Sequence, residues 1–199
     1  VEQFVADNKT AGVELLPAAG AAGIEAAVNQ EVRTAWLKML AYIYGTVAIL
    51  CLIAFRSWRA VLVALLPLAL TSVLCEALMV VLGIGVKVAT LPVIALGVGI
   101  GVDYALYLLS VQLHGQRMGM PLPEAYRAAL AFTGRIVALV GLTLAAGVIT
   151  WAWSPIKFQA DMGILLAFMF LWNMLGALIL IPALSYFLLP TSAVRKVSA

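Results

Sequence analysis

The sequence predicts an all-α integral membrane domain of five spanning helices, and three observations predict it. Of its 199 residues 65% are hydrophobic, only 11% are charged, and the mean hydropathy is +1.11. A water-soluble domain of this size has too little interior to hide so much apolar surface. Five apolar runs each approach or exceed the roughly 20 residues that cross a bilayer core. Basic residues stand singly between those runs and favour one side of them, which is how membrane topology is written in sequence.

In chain order, residues 1–34 differ in kind from the rest. They are small and of mixed polarity, punctuated by Gly12, Pro17, Gly20 and Gly23, and then helical through "IEAAVNQEVRTAW", where Ile24, Val28 and Val32 recur every four residues. This segment reads as the end of an extracytoplasmic domain. No basic stretch precedes a short apolar run at the start, so no signal peptide is expected and the chain reads as part of something longer.

The transmembrane domain covers 35–190, with runs at about 35–55, 60–84, 89–112, 135–153 and 162–189. Residues 121–133, "PLPEAYRAALAFT", open on Pro123 and Glu124 and place Leu122, Tyr126, Ala129 and Leu130 on one face, which predicts an interfacial helix. Residues 191–199 form a cytoplasmic tail. Cys51 and Cys75 fall on different helices at depths about 15 Å apart, too far for a disulfide.

Arg56, Arg59, Arg117, Arg127, Arg135, Arg195 and Lys196 share one side with Glu124 as its only acid. The opposite loops hold Lys87 and Lys157, and the leading segment mixes Lys9, Arg33 and Lys38 with five acids. The positive-inside rule therefore puts the N-terminal segment outside and the C-terminus in the cytoplasm. Trp36, Trp151 and Trp153 mark the outer boundary and Trp58 the inner one. Basic residues spread in this way form no nucleic-acid face.

The third run contains "LGVGIGVDYALYLL", residues 96–109. Asp103 lies within about 3 Å of that helix's centre, too deep to snorkel. A carboxylate there costs about 3 kcal/mol on insertion-based scales, so something must offset the cost or use it. Gly97 and Gly101 form a small-xxx-small pair, and Gly99 lies one turn before Asp103, so a close helix contact is expected at this level, with Asp103 facing it. Tyr104 and Tyr107 offer phenolic donors. Burial disfavours the charged form of a carboxyl and such donors favour it, so the group can be tuned to gain and lose a proton. The alternative is a structural Asp held by an interhelical hydrogen bond. A dinucleotide fingerprint is excluded, because G-x-G-x-G here lacks a strand-turn-helix setting.

"GVGIGVDYALYLL", following "FRSWRAVLVALLPLAL" and followed by "SPIKFQADMGILLAFMFLWNMLGALILIPAL", resembles the C-terminal half of permeases of the resistance-nodulation-division superfamily, in the MMPL-like branch. The resemblance covers essentially the whole chain. It implies two similar halves, each with one helix, a large extracytoplasmic porter domain and five further helices. This chain would then be the end of the second porter domain plus membrane helices eight to twelve. The implied activity is proton-motive-force-driven export of lipids or other hydrophobic compounds from the bacterial cytoplasmic membrane. Asp103 would carry the proton with Tyr104 as hydrogen-bond donor, facing a matching Asp-Tyr pair on the N-terminal half. A non-transporting bundle that senses sterol or lipid, or scaffolds an assembly, is the alternative.

Glu76, in "TSVLCEALMVV", is a second membrane carboxylate about 9 Å from the level of Asp103; it lines a substrate or proton route or is structural. Thr143, with Gly147 and Thr150 on one face, is a further relay candidate, although membrane hydroxyls commonly bond their own backbone. Trp172 and Asn173 are expected in interhelical packing, and His114 at the cytoplasmic end is read as solvated. No metal-ligand spacing, phosphate loop or nucleophile-base constellation occurs, so neither an enzyme nor a cofactor is expected.

Overall fold

The computed structural model describes residues 21–85 and 90–189. The first 20 residues of the leading segment, Lys87 and the tail with Arg195 and Lys196 lie outside the described residues. Those described are helical apart from short connections, with five helices long and apolar enough to span a membrane.

Helix α1 (Ala21–Phe55) is 35 residues long and runs from the leading segment through the first span without a break. At 1.5 Å per residue it is about 52 Å long, well beyond a 30 Å hydrocarbon core. It stops where Arg56 takes a left-handed backbone (φ 52°) and Ser57 an extended one. Helix α2 (Trp58–Val81) then returns across the membrane.

Both α2 and α3 (Leu91–Arg117) end in the same hydrogen-bonded motif. Gly83 (φ 65°) and Gly119 (φ 89°) supply the left-handed residue. Ile84 N–H donates to the Met79 carbonyl, and Met120 N–H to that of Gly115. Glycine is needed at both positions because a Cβ disfavours that backbone.

Helix α4 (Leu122–Ala129) packs along the last turns of α3, with Ala125 against Gly115. It is not set apart as a separate interfacial element: a π turn, Leu130–Gly134, carries it directly into α5 (Arg135–Ile149), which closes in a 3₁₀ turn at Thr150–Trp153. The last span repeats the device, with α6 (Lys157–Leu175), a π turn at Gly176–Leu180 and α7 (Ile181–Leu188).

The two π turns meet. Leu178 packs near Gly134, and the Tyr126 hydroxyl donates to the Leu178 carbonyl at 3.2 Å. In an α-helix that carbonyl would accept from residue 182, which is Pro182 and has no N–H. Tyr126 supplies the missing donor.

Helix α3 lies at the centre, packed against α1, α2, α4 and α6, and it and the last span are the most buried elements. Cys51 and Cys75 are buried, free thiols, consistent with packing residues on separate helices.

Candidate functional site

The buried and exposed residues of α3 divide cleanly by helical face. Gly97, Val98, Gly101, Tyr104, Ala105, Leu108 and Gln112 face inward, while Pro92, Leu96, Gly99, Asp103, Tyr107, Ser110, His114 and Arg117 form an exposed stripe. The stripe's spacings of three and four residues are those of one helix face. Its apolar members would face lipid comfortably; Asp103 would not.

Gly97 and Gly101 build the inward seam. A Cβ on Gly97 would stand 2.5 Å from the Met169 side chain, and one on Gly101 would stand 2.5 Å from the Asn173 amide and from Leu68. The absent side chains let Asn173 Nδ2 donate to the Gly97 carbonyl at 2.7 Å, a buried interhelical bond of the kind expected for Asn173. Trp172 beside it instead faces outward, 41% exposed, its ring tilted at 52° to that of Phe168 with centroids 5.9 Å apart.

Gly99 stands apart from that seam. A Cβ there would meet nothing within 4 Å. It and Asp103 share the uncovered side, and among the described residues Asp103 has no hydrogen-bond or ion-pair partner. The close contact predicted at this level is therefore divided between two faces, with Gly97 and Gly101 already packed and Gly99 and Asp103 open.

The two tyrosines divide in the same way. Tyr104 is 2% exposed, turned into the bundle, with its hydroxyl buried and unpartnered. Tyr107 is 58% exposed, one turn beyond Asp103 on the same stripe. Of the pair, Tyr107 is the one that shares the carboxylate's side of the helix.

Glu76 is half-buried on α2 and lines a cavity of about 430 Å³ with Trp36, Met79 and Ile84. One turn away, Ser72 Oγ lies 2.7 Å from the Tyr44 hydroxyl, which also reaches the Leu68 carbonyl at 3.0 Å, pinning α1 to α2. Thr143 is exposed, and its hydroxyl donates to the Leu139 carbonyl of its own helix at 2.7 Å. The structure brings neither Glu76 nor Thr143 to Asp103.

Sequence reasoning missed a polar spine on the inner face of α3. Gln112 meets Ser185 of α7 at 3.4 Å, while Gln112 Nε2 and both side-chain polar atoms of Gln116 are buried without partners. The signal was available in the four-residue spacing of Tyr104, Leu108, Gln112 and Gln116. No group of His, Cys, Asp or Glu among the described residues could hold a metal ion.

Comparison with known proteins places this helix in a family. A chain of Methanocaldococcus jannaschii, named only as a membrane protein, is 28% identical over 138 residues, covering 69% of this chain and 36% of that one. A chain of Streptomyces coelicolor, named in the same way, is 39% identical over 90 residues, covering 45% of this chain and 13% of its own length. The chain thus spans about a third or less of these relatives. The family model described as the MMPL family matches residues 2–195. Matched over nearly its entire length, and carrying five helices fit to cross a bilayer, this multi-pass membrane chain belongs to the MMPL family.

Proposed function

We propose that this chain is the C-terminal membrane part of a proton-motive-force-driven exporter of lipids or other hydrophobic compounds, with Asp103 as the proton carrier. Family membership supports a transporter-like role in general terms. The observation that carries the finer reading is the uncovered stripe. A carboxylate near mid-membrane sits beside a glycine that leaves room for another backbone, with no partner from its own bundle.

A helix of the N-terminal half covers that stripe and presents the matching Asp-Tyr pair. Tyr107 is the hydroxyl on hand for Asp103, and Tyr104 acts indirectly by seating α3 in the core. Protonation removes the charge that resists close packing, and deprotonation restores it, so the seam between halves has two arrangements. Each unit of pH gradient supplies about 1.4 kcal/mol per proton, and each 100 mV of potential about 2.3 kcal/mol. One or two protons can therefore bias the equilibrium between two helix packings.

The cytoplasmic membrane as the site, an extracytoplasmic N-terminal segment and a cytoplasmic C-terminus complete the proposal. The test is export by the full-length protein carrying Asp103→Asn, alongside Asp103→Glu. The asparagine variant is expected to fold and reach the membrane but lose export, with partial recovery by glutamate. Undiminished export in the asparagine variant removes Asp103 from the mechanism.

A further inference from the structure

We propose that Gln112 and Gln116 of α3 bind internal water between α3 and α7, and that α7, bending at the π turn before it, admits that water. Gln112 is 1% exposed and Gln116 8%. Gln112 Nε2 and both side-chain polar atoms of Gln116 have no partner among the described residues. The Ser185 hydroxyl donates to Gln112 Oε1 at 3.4 Å, which is long for such a donor. Buried amides in this state are commonly served by water, which needs about two to four polar partners and room to enter. The two glutamines and Ser185 supply the partners.

A hinge supplies the room. Three interruptions of helical hydrogen bonding fall in one layer. Pro67 lies inside α2, and a Cβ on Gly176, where the second π turn starts, would stand 3.3 Å from the Pro67 Cβ. A Cβ on Gly134, where the first π turn ends, would stand 3.4 Å from the Leu178 side chain. Prolines and π turns are the places where helices bend.

The two sides of this layer are held differently. On one side glycine seams lock α3 and α5 to α6, with Gly97 against Met169 and Gly141 against Met174. On the other, the end of the bundle that carries Arg56, Arg59 and Arg117, α7 packs along α2 and bonds α3 through the long contact from Ser185. A sterically locked, dry interior therefore gives way to a polar interface with a hinged wall.

Gln112 follows Asp103 by nine residues, about 180° round the helix. The site thus lies on the face away from the proposed proton carrier, and it stands whether or not Asp103 carries protons. It lets the end of the last span yield while the Asn173 bond to Gly97 stays made.

The test uses the full-length protein in detergent, with Ser185→Cys as the reporter and methanethiosulfonate ethylsulfonate, an anionic reagent that works in water, as the probe. Ser185 is 1% exposed, and the native Cys51 and Cys75, at 0%, serve as dry controls. The reporter should be modified about tenfold faster than either control, because a thiol must meet water to react as thiolate. Gln112→Leu combined with Gln116→Leu should slow it about tenfold by making the interface apolar. Tyr126→Phe, which frees the Leu178 carbonyl at the hinge, should speed it.

A reporter as slow as Cys51 and Cys75 overturns the water site. So does a fast reporter that the two leucines leave unchanged, because α7 would then fray without regard to the glutamines. If the reporter variant fails to fold, high-resolution density of the wild-type protein decides. Water within hydrogen-bond distance of the Gln116 amide is expected there, and an amide bonded to protein groups instead overturns the site. Transport enters none of these measurements, so their failure leaves the export proposal untouched.

Discussion

Asn173 donates to the backbone carbonyl of Gly97 at 2.7 Å, across a seam that exists only because residues 97 and 101 lack side chains. This contact fixes α3 against the last span. By doing so it determines which face of α3 is left for Asp103.

Gly101→Ala should destabilise the bundle. The added methyl would stand 2.5 Å from both the Asn173 amide and Leu68, inside a packed core. Overpacking of this kind costs about 1–3 kcal/mol. Thermal unfolding in detergent should show a lowered Tm, and a Tm equal to that of wild type means that the seam is looser than described.

Gly99→Leu should behave oppositely. Nothing in this chain lies within 4 Å of the new Cβ, so insertion and fold should be unaffected. Association with the N-terminal half should fail, because the covering helix is held off. The two halves expressed as separate chains provide the measurement, and normal co-purification would show that the stripe faces lipid.

The tyrosines can be separated by function. Tyr107→Phe should lower proton-coupled export at least tenfold with little change in stability. Tyr104→Phe should leave export near wild type and stability equal or slightly higher, since it removes a buried hydroxyl with no partner. The reverse result assigns the donor role to Tyr104.

Tyr126→Phe removes the donor to a carbonyl that Pro182 cannot serve. The expected cost is about 1 kcal/mol. Hydrogen exchange should quicken around 176–186, and unchanged protection there would mean that the paired π turns are held by packing alone.

Much of the fold was legible because a membrane span is a crude signal: length and apolar content identify it whatever its neighbours do. Continuities were harder to see. The first span extends back into the leading segment, and α4 joins α5 through a π turn, because no proline interrupts either stretch.

The site was legible only in part. Gly97, Gly99 and Gly101 look alike as a pattern, yet at 100° per residue the middle one lies about 160° from its neighbours. Which of these two faces meets the rest of the bundle depends on Met169 and Asn173, some 70 residues later. For Tyr104 and Tyr107 the deciding information was likewise tertiary, since either can be placed near Asp103 in sequence and only one shares its open side.

On the proposed mechanism, Asp103 takes up and releases the protons that drive export at the seam between halves. This role is tested most directly by reconstituting the full-length protein in liposomes and recording substrate-linked proton flux with an internal pH indicator, for wild type and Asp103→Asn. The wild-type flux should follow substrate, and the variant, folded and inserted, should show none above empty liposomes. Substrate-linked proton movement persisting in the asparagine variant would contradict this role.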